Sequence, residues 1–236
     1  MSMRIYTMTH KKFTPLPDPL YVPLHVGRAC GENLGYLGDD TGEQISALNC
    51  YYSELTGFYW IWKNCHDADY VGTCHYRRYL INEKEQIYTE EEYRELLRKY
   101  DLVTTKKVQL NNSYYDGFLA NHNIRALEMT GKVITEKYPE YADAFEQLVN
   151  GRQTYFGNIL VTSKILFDEY ASWLFSIFFE VAERIELETG EDAYHKRVFG
   201  FISEFLLLVW VTVKKLRVYE CKVGMLGEKT ETGELK

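Results

Sequence analysis

Apolar side chains recur at intervals of three and four residues from Ile45 to Tyr59, and this period predicts an amphipathic helix over residues 43–64. Gly57 lies inside the pattern and is the predicted point of a break in the helix. After a short acidic turn, an unbroken β-type run at 70–74 predicts a buried strand. Helix, tight turn and buried strand in this order are typical of open α/β sheets.

The rest of the chain alternates between the same two patterns. β-type runs predict strands at 4–8, 101–105, 153–162 and 216–223, with a short strand at 21–26 inside a long loop, 13–42. Helical periods predict helices at 90–99, 119–130, 138–149, 167–187 and 194–215. The strand–helix–strand order from residue 70 to residue 105 predicts a βαβ unit. We therefore predict an α/β fold with a single open, mostly parallel sheet flanked by helices, one domain over 1–222 and a charged tail, 223–236.

Composition narrows the class of protein. The chain has 236 residues, 46% of them hydrophobic and 26% charged, which is ordinary for one soluble globular domain. A formal charge of −7 argues against a general nucleic-acid binder, because phosphate backbones need a basic surface. The five cysteines are scattered and follow no signal peptide, which predicts reduced thiols in the cytoplasm. No run reaches the roughly 20 apolar residues that span a bilayer. Peripheral association with the inner face of the membrane is the alternative location.

A polar cluster follows the predicted strand at 70–74. It consists of His75, Tyr76, Arg77 and Arg78. In open α/β sheets ligands bind outside the carboxyl ends of the strands, and the guanidinium fork matches the geometry of phosphate oxygens. This position favours a site for a phosphorylated ligand. The alternative is that both arginines pair with surface carboxylates.

The predicted strand at 4–8 also ends in polar and basic residues, Thr9, His10 and Lys11. We count these three among the residues that bind the phosphorylated ligand. Other classes of phosphate or acyl chemistry lack their motifs, since the chain contains no GxSxG, GxxxxGK[ST] or GxGxxG string.

Glu204 stands in the most apolar run of the chain, residues 199–213, where an acidic side chain is either paired or functional. It is the first candidate for a general base. The alternative is a structural ion pair with Arg197, which lies about two turns upstream on the same helical face. Asp116, in a polar and aromatic loop, is the second candidate for the base.

Several strings of the sequence resemble the motifs of one bacterial family. They are Ile45-Ser46, the run from Tyr59 to Asn64, His75-Tyr76-Arg77-Arg78-Tyr79, Thr9-His10-Lys11, Tyr155-Phe156-Gly157-Asn158 and the run from Arg197 to Glu204. The family consists of glycosyltransferases of capsular and exopolysaccharide synthesis. It was first catalogued as a domain of unknown function, and galactofuranosyl transfer is among its assigned activities. The resemblance covers nearly the whole chain.

The resemblance implies a GT-A-like fold and transfer of galactofuranose or galactose from a nucleotide diphosphate donor, UDP-linked, to a growing polysaccharide repeat unit. The implied acceptor is lipid-linked or an oligosaccharide. The residues expected to contact the acceptor or the sugar carry hydroxyl, amide or guanidinium groups: Tyr114, Tyr115, Asn158 and Arg197. The alternative function is a non-catalytic subunit that binds nucleotide or carbohydrate in a polysaccharide-synthesis complex.

Many sugar-transferring α/β folds hold the donor through an Asp-x-Asp pair and a divalent metal at the end of a central strand. Asp67 and Asp69 have this spacing, but they precede the predicted strand and so are expected at the opposite edge of the sheet. We interpret Asp39 and Asp40 as an acidic turn. With arginines at the strand end, the sequence predicts that fixed cations neutralise the diphosphate and that transfer needs no metal cofactor.

Overall fold

The computed structural model describes residues 2–187 and 194–226. Its strands are β1 (Met3–Thr9), β2 (Tyr21–His25), β3 (Leu37–Gly38), β4 (Tyr70–His75), β5 (Arg78–Ile81), β6 (Leu102–Thr105), β7 (Val108–Gln109), β8 (Gln153–Thr154), β9 (Leu160–Ser163) and β10 (Val218–Met225). Its α-helices are α1 (Asn49–Tyr52), α2 (Leu55–Asn64), α3 (Glu90–Leu97), α4 (Tyr114–Asn121), α5 (Ile124–Lys137), α6 (Ala142–Val149), α7 (Lys164–Arg184) and α8 (Val198–Val213). Short 3-10 helices occupy Arg28–Cys30, Ser46–Leu48 and Pro139–Tyr141.

The main sheet is mixed and closes on itself. β4 lies at its centre, parallel to β1 on one side and antiparallel to β9 and to the start of β5 on the other. β10 joins β5 to β6, and β6 pairs with β9, so that β4, β5, β10, β6 and β9 form a ring. β1, β2 and β3 extend from β4 as a parallel edge.

The α/β class and the interior position of the strand at 70–74 are confirmed, but the prediction of an open, mostly parallel sheet is wrong. β9 returns in the antiparallel direction between β4 and β6, so the two strands of the predicted βαβ unit are not neighbours. A tight hairpin at His75 and Arg78 turns β5 back beside β4 and allows the ring to close. Local patterns identify strands but do not encode which distant strands pair.

The strand predicted at 153–162 is divided into β8 and β9. Gly157 (φ 93°) and Asn158 (φ 48°) both adopt left-handed backbone conformations, which end the extended run. β8 pairs with β7 in a separate two-stranded sheet. Residues 156–158, called the 156–158 turn below, therefore cross the end of the main sheet as an irregular segment.

The helix predicted at 43–64 breaks at a different residue from the expected one. α1 and α2 are separated at Ser53, which has φ 53°, and not at Gly57. Gly57 lies inside α2, where a Cβ atom would come within 2.6 Å of Sδ of Met8, so the glycine allows α2 to pack closely on β1. The break places Glu54 at the start of α2.

The helix predicted at 119–130 is divided into α4 and α5, whereas the helix predicted at 90–99 and the strand predicted at 216–223 agree more closely with the structure. Thr89 caps α3 in a reciprocal capping box with Glu92. β10 corresponds to the predicted strand at 216–223 and continues to Met225, so the sheet includes the first residues of the predicted charged tail. Residues 227–236 of that tail lie outside the described residues.

Two apolar cores pack on opposite faces of the sheet. The larger lies under α2, α5, α7 and α8, and its fully buried aromatic side chains are Tyr6, Tyr52, Phe58, Phe167, Phe175, Phe178, Phe199, Phe205 and Trp210. The smaller is rich in tyrosine: Tyr21, Tyr79, Tyr88 and Tyr93. Alternation along β1 separates the two cores, because Ile5 faces one and Tyr6 faces the other. Of the helices in the described ranges, none is long and apolar enough to cross a membrane.

Candidate active site

A cleft of about 940 Å³ opens where β1 and β4 end. The strand ends contribute Met8, Thr9, His10 and His75. One face of α4 lines a wall through Tyr114, Gly117, Phe118 and Asn121. One face of α8 lines the floor through Gly200, Phe201 and Glu204, together with Arg197, which immediately precedes the helix. Both sets repeat at three and four residues, so each helix presents a single face to the same space.

The 156–158 turn also borders the cleft and is held by hydrogen bonds to each of its carbonyl groups. Oγ1 of Thr105 donates to the Phe156 carbonyl at 3.2 Å, and Nε2 of His75 donates to the Gly157 carbonyl. Oγ1 of Thr73 donates to the Asn158 carbonyl at 2.9 Å. These bonds offset the roughly 1–2 kcal/mol that a left-handed conformation costs a residue with a side chain, in this case Asn158.

The Asn158 side chain lies behind the cleft, where it is only 5% exposed. Its Nδ2 donates to Oε1 of Glu54 at 2.6 Å and to the Gly200 carbonyl at 3.0 Å, and its Oδ1 accepts from Oγ of Ser203 at 2.9 Å. Both amide hydrogens are therefore used within the protein. The structure places this predicted sugar contact beneath the surface, as an organiser of the turn.

Glu204 faces the cleft from α8, and its Oε1 accepts a 2.6 Å hydrogen bond from the backbone N–H of Gly157. Burial, followed by the neighbouring carboxylate of Glu54, raises the pKa of Glu204 from 4.5 to about 8. The Gly157 N–H and the guanidinium groups of Arg78 and Arg197 act in the opposite direction. A carboxyl group with a pKa in this range is suited to accept a proton from a substrate hydroxyl near neutral pH.

Glu54 is a second carboxyl group in the same cleft, and the sequence pattern gives no sign of it. A glutamate in an apolar-striped helix ordinarily lies on the solvated face, but Glu54 is half-buried and lines the cleft. The break at Ser53 turns Glu54 towards the 156–158 turn, where Asn158 binds it. The sequence does not identify Glu54 as a site residue because the helix breaks at Ser53, whereas the pattern predicts a break at Gly57.

Arg77 and Arg78 extend from the hairpin between β4 and β5 and are exposed at the cleft. The guanidinium carbon of Arg77 lies 5.0 Å from the ring centroid of Tyr76, which also borders the cleft. Among the described residues, no carboxylate lies within 4.0 Å of either arginine. The alternative, pairing of both arginines with surface carboxylates, is therefore not seen among the described residues. Both arginines are exposed to solvent.

The residues that follow β1 are divided between the cleft and its exterior. His10 lines the cleft with its ring 5.8 Å from that of Tyr76, and burial together with surrounding positive charge lowers the pKa of His10. Oγ1 of Thr9 donates to the carbonyl of Lys11 and accepts from its N–H at 3.1 Å. The Lys11 side chain is exposed and lies outside the cleft lining.

Arg197 precedes α8 and approaches the cleft between two aromatic rings. Its guanidinium carbon lies 5.0 Å from the ring centroid of Tyr194 and 5.7 Å from that of Phe201. Nε of Arg197 is buried without a hydrogen-bond partner among the described residues. The alternative of an ion pair between Arg197 and Glu204 is not formed, since no guanidinium nitrogen of Arg197 lies within 4.0 Å of a carboxylate oxygen of Glu204.

Three predicted site residues of α4 have structural partners. Tyr114 lines the cleft, but its hydroxyl donates to the Phe201 carbonyl at 3.1 Å. The Tyr115 hydroxyl donates to Glu128 at 2.8 Å, outside the cleft lining. Asp116 is exposed, also outside the lining, and accepts a 2.7 Å hydrogen bond from Oγ of the helix cap, Ser113. The geometry therefore favours Glu204 over Asp116 as the base.

His122, at the end of α4, lines the cleft although no sequence motif contains it. Its ring stacks on Phe201 with centroids 4.1 Å apart. Burial, and then the nearby His195 and Arg197, lowers the pKa of His122 to about 4, so the imidazole is neutral at neutral pH. A single histidine in a polar helix carries no signal by which the sequence could identify it.

The aspartates considered for a metal lie outside the cleft lining and have other partners. Asp67 binds Arg4 at 2.6 Å, and Asp69 accepts from the backbone N–H of Ser2, both at the opposite end of β4. Asp39 is buried and accepts from Oγ of Ser46 and from two backbone N–H groups, whereas Asp40 pairs with Arg28 at 3.3 Å. Within the described ranges, no three His, Cys, Asp or Glu side chains form a group that could hold a metal ion.

Comparisons with known proteins identify a family and a solved structure with a similar fold. The sequence profile of the family described as a domain of unknown function, DUF4422, matches residues 4–215, and the chain belongs to that family. Among solved structures, the chain is similar to the WbbM bifunctional glycosyltransferase, with a TM-score of 0.90 and 31% sequence identity. The similarity covers 100% of this chain and 47% of that one, so the chain spans about half the length of its relative. No curated protein sequence matches the chain.

Proposed function

We propose that this protein is a glycosyltransferase that moves a sugar from a nucleotide diphosphate donor to a hydroxyl group of a saccharide acceptor. The family membership and the likeness of the whole chain to part of a bifunctional glycosyltransferase support this proposal. The observation that carries it lies in the cleft: Glu204 lines the same cleft as Arg77 and Arg78, and the two arginines have no carboxylate partner among the described residues.

The arginine side chains of the cleft form the proposed binding site for the diphosphate of the donor. Arg77 and Arg78 bind the diphosphate of the donor through charge-assisted hydrogen bonds, and Arg197 contributes from the start of α8. His75 acts mainly through the 156–158 turn, because its Nε2 is bonded to the Gly157 carbonyl. We expect a UDP-linked hexose, galactofuranose or galactose, as the donor. The acceptor is a lipid-linked or oligosaccharide repeat unit of a capsular or exopolysaccharide, presented at the inner face of the membrane.

Glu204 is the proposed base in a direct displacement. The acceptor oxygen bonds to the anomeric carbon while the bond from that carbon to the diphosphate oxygen breaks. The electron pair of the broken bond leaves with the nucleoside diphosphate, whose charge Arg77 and Arg78 stabilise. The acceptor proton passes to the ionised carboxylate of Glu204, which later releases it to solvent.

The transfer requires no metal ion in this scheme. Fixed guanidinium groups at the end of β4 neutralise the leaving diphosphate, and the four aspartates considered above lie outside the cleft lining with other partners. The sequence position of the arginines and the geometry of the cleft both support this proposal.

A panel of nucleotide sugars tests the function. Purified protein is incubated with UDP-galactofuranose, UDP-galactose and other nucleotide sugars, with and without a saccharide acceptor, and the released nucleotide is measured. We expect release of UDP that increases with acceptor. Binding of a donor in a thermal-shift assay without any turnover would instead establish a non-catalytic nucleotide- or carbohydrate-binding protein.

A further inference from the structure

The two carboxyl groups of the cleft are attached to neighbouring residues of one turn. Oε1 of Glu204 accepts from the Gly157 N–H at 2.6 Å, and Oε1 of Glu54 accepts from Nδ2 of Asn158, also at 2.6 Å. Glu204 comes from α8 and Glu54 from the start of α2, so residues 150 positions apart in the chain converge on this turn. Because each carboxylate has one oxygen held by the turn, their separation is fixed by the fold.

Further hydrogen bonds connect the turn that holds the two carboxylates to α8. Asn158 binds not only Glu54 but also the Gly200 carbonyl, one turn before Glu204 on α8. Ser203 completes the link, because its single hydroxyl proton is shared between Oδ1 of Asn158 at 2.9 Å and the Gly200 carbonyl at 2.8 Å. Asn158 thus joins the start of α2, the turn and the floor of the cleft in one hydrogen-bond network.

Two residues next to the carboxyl groups or bonded to them have positive φ angles. Ser53, immediately before Glu54, has φ 53°, and Asn158 has φ 48°. Left-handed conformations at residues other than glycine persist only where the surroundings enforce them, and they cluster at functional sites. Among the described residues, no hydrogen bond reaches Oε2 of Glu54 or Oε2 of Glu204. Each carboxyl group therefore has one oxygen committed to the turn and one available to the cleft.

We propose that Glu54 is a positioning residue of the active site, which acts through Glu204 as the second member of a carboxyl pair that holds one proton. This inference rests on the proposed function only for the role of Glu204 as base. The pairing itself follows from the shared turn and is independent of the reaction. Among the described residues, neither carboxylate has a nitrogen of a Lys, Arg or His side chain within 4.0 Å of its oxygens.

The charges that face Glu204 explain how the pair behaves. Glu54 from the start of α2 disfavours ionisation of Glu204, whereas Arg78 from β5 and Arg197 from the start of α8 favour it. Tyr114 from α4 also faces Glu204, and burial together with that carboxylate raises the pKa of its phenol, which stays neutral. Two close carboxyl groups lose their protons in separate steps, so the first ionisation makes the second harder. The negative charge of Glu54 therefore makes Glu204 a stronger base once it is ionised.

The substitution Glu54→Gln removes the negative charge of this side chain but keeps its hydrogen bond to Asn158. The glutamine carbonyl oxygen can still accept the hydrogen bond from Nδ2 of Asn158, but the repulsion of Glu204 is removed. We expect the acidic limb of the pH profile of kcat to move at least about one pH unit lower than in the wild type. We also expect a several-fold lower kcat on the alkaline plateau, because a weaker base accepts the proton. Glu136→Gln, on a surface residue paired with Arg184, is the matched control and should leave the profile unchanged.

A second measurement does not depend on activity. Glutamate labelled with ¹³C at the side-chain carboxyl carbon is incorporated, and Glu204→Gln assigns the Glu204 resonance by its disappearance. The Glu204 carboxyl should titrate at least about one pH unit lower in folded Glu54→Gln than in the wild type. The same titration midpoint in both proteins would overturn the proposed pair. A shifted midpoint in a protein that turns over no nucleotide sugar would support the pair and refute the proposed function instead.

Discussion

The backbone N–H of Gly157 donates a 2.6 Å hydrogen bond to Oε1 of Glu204, and this bond attaches the proposed base to the 156–158 turn. Gly157 has φ 93°, a conformation that favours glycine. A Cβ atom added at this residue would meet only the Ile159 side chain, at 3.5 Å, which is an ordinary contact. A substitution at Gly157 therefore acts through the backbone conformation and not through a clash.

Gly157→Ala should lower the free energy of unfolding by about 1–2 kcal/mol and reduce kcat, because relaxation of φ moves the N–H away from Glu204. Denaturant unfolding and steady-state kinetics measure the two effects. Gly35→Ala is the control, since Gly35 has φ 83° and no atom within 4 Å of the added Cβ. It should lose comparable stability and keep its kcat. Equal kcat values in the two variants would show that the hydrogen bond to Glu204 has no functional role.

Arg77→Ala and Arg78→Ala should each weaken donor binding with little effect on Tm. Both side chains are exposed and neither has a carboxylate partner among the described residues, so their loss removes no salt bridge seen there. A lost charge-assisted hydrogen bond to phosphate corresponds to roughly 1.5–3 kcal/mol, or about a 10- to 150-fold higher Kd. Calorimetric titration with UDP measures the Kd, and Arg98→Ala, on the exposed end of α3, is the control. Normal binding by both cleft variants would remove the arginines from the donor site.

Sugar transfer should survive treatment with EDTA at unchanged kcat. The expected reason is that guanidinium groups, and not a divalent ion bridged by carboxylates, neutralise the diphosphate. The assay compares initial rates in protein treated with EDTA before and after addition of Mn²⁺ or Mg²⁺. Loss of activity on chelation, with recovery on addition of Mn²⁺, would contradict a metal-independent reaction. The glutamates of the cleft, Glu54 and Glu204, would then be the first residues to test as ligands.

The stability of the protein should fall with rising pH because of Glu204. Its pKa is raised from 4.5 to about 8 in the folded state, mainly by burial. Between these values the folded state keeps a proton that the unfolded state has released, so unfolding becomes more favourable as pH increases through this window. Above about pH 8 both states are ionised and the effect is complete.

Glu204→Gln cannot ionise, so it should not lose this stability. Relative to the wild type, it should gain roughly 2–4 kcal/mol between about pH 5 and about pH 9. Urea unfolding of both proteins at several pH values measures the difference. If the free energies of unfolding of the wild type and of Glu204→Gln changed with pH in parallel, the pKa of Glu204 would be ordinary and the prediction would be wrong.

Much of the site could be predicted because it follows a strand end. The periods of two and of three to four residues locate β1 and β4, and parallel strands end at the same edge of the sheet. His10, His75, Arg77 and Arg78 therefore come together as their places in the sequence suggest. Glu204 is identifiable because a charged residue is conspicuous in an apolar run.

The remainder depends on pairings and backbone conformations that the local sequence does not specify. Closure of the sheet requires β10 to bridge β5 and β6, strands that are far from it in the chain. Glu54 reaches the cleft only because Ser53 adopts a positive φ, which its side chain does not predict. Asn158 has the amide group expected of a sugar contact, but the same group binds Glu54 and Gly200, which only the folded chain reveals.

The most direct measurement is kcat of Glu204→Gln with the donor that the wild type turns over, at saturating donor and acceptor and about pH 8. Loss of the general base should reduce kcat by about 10²- to 10⁴-fold, while the Kd for UDP and the fold stay close to those of the wild type. A Glu204→Gln protein that transfers sugar at the wild-type rate would contradict the assignment of Glu204 as the base.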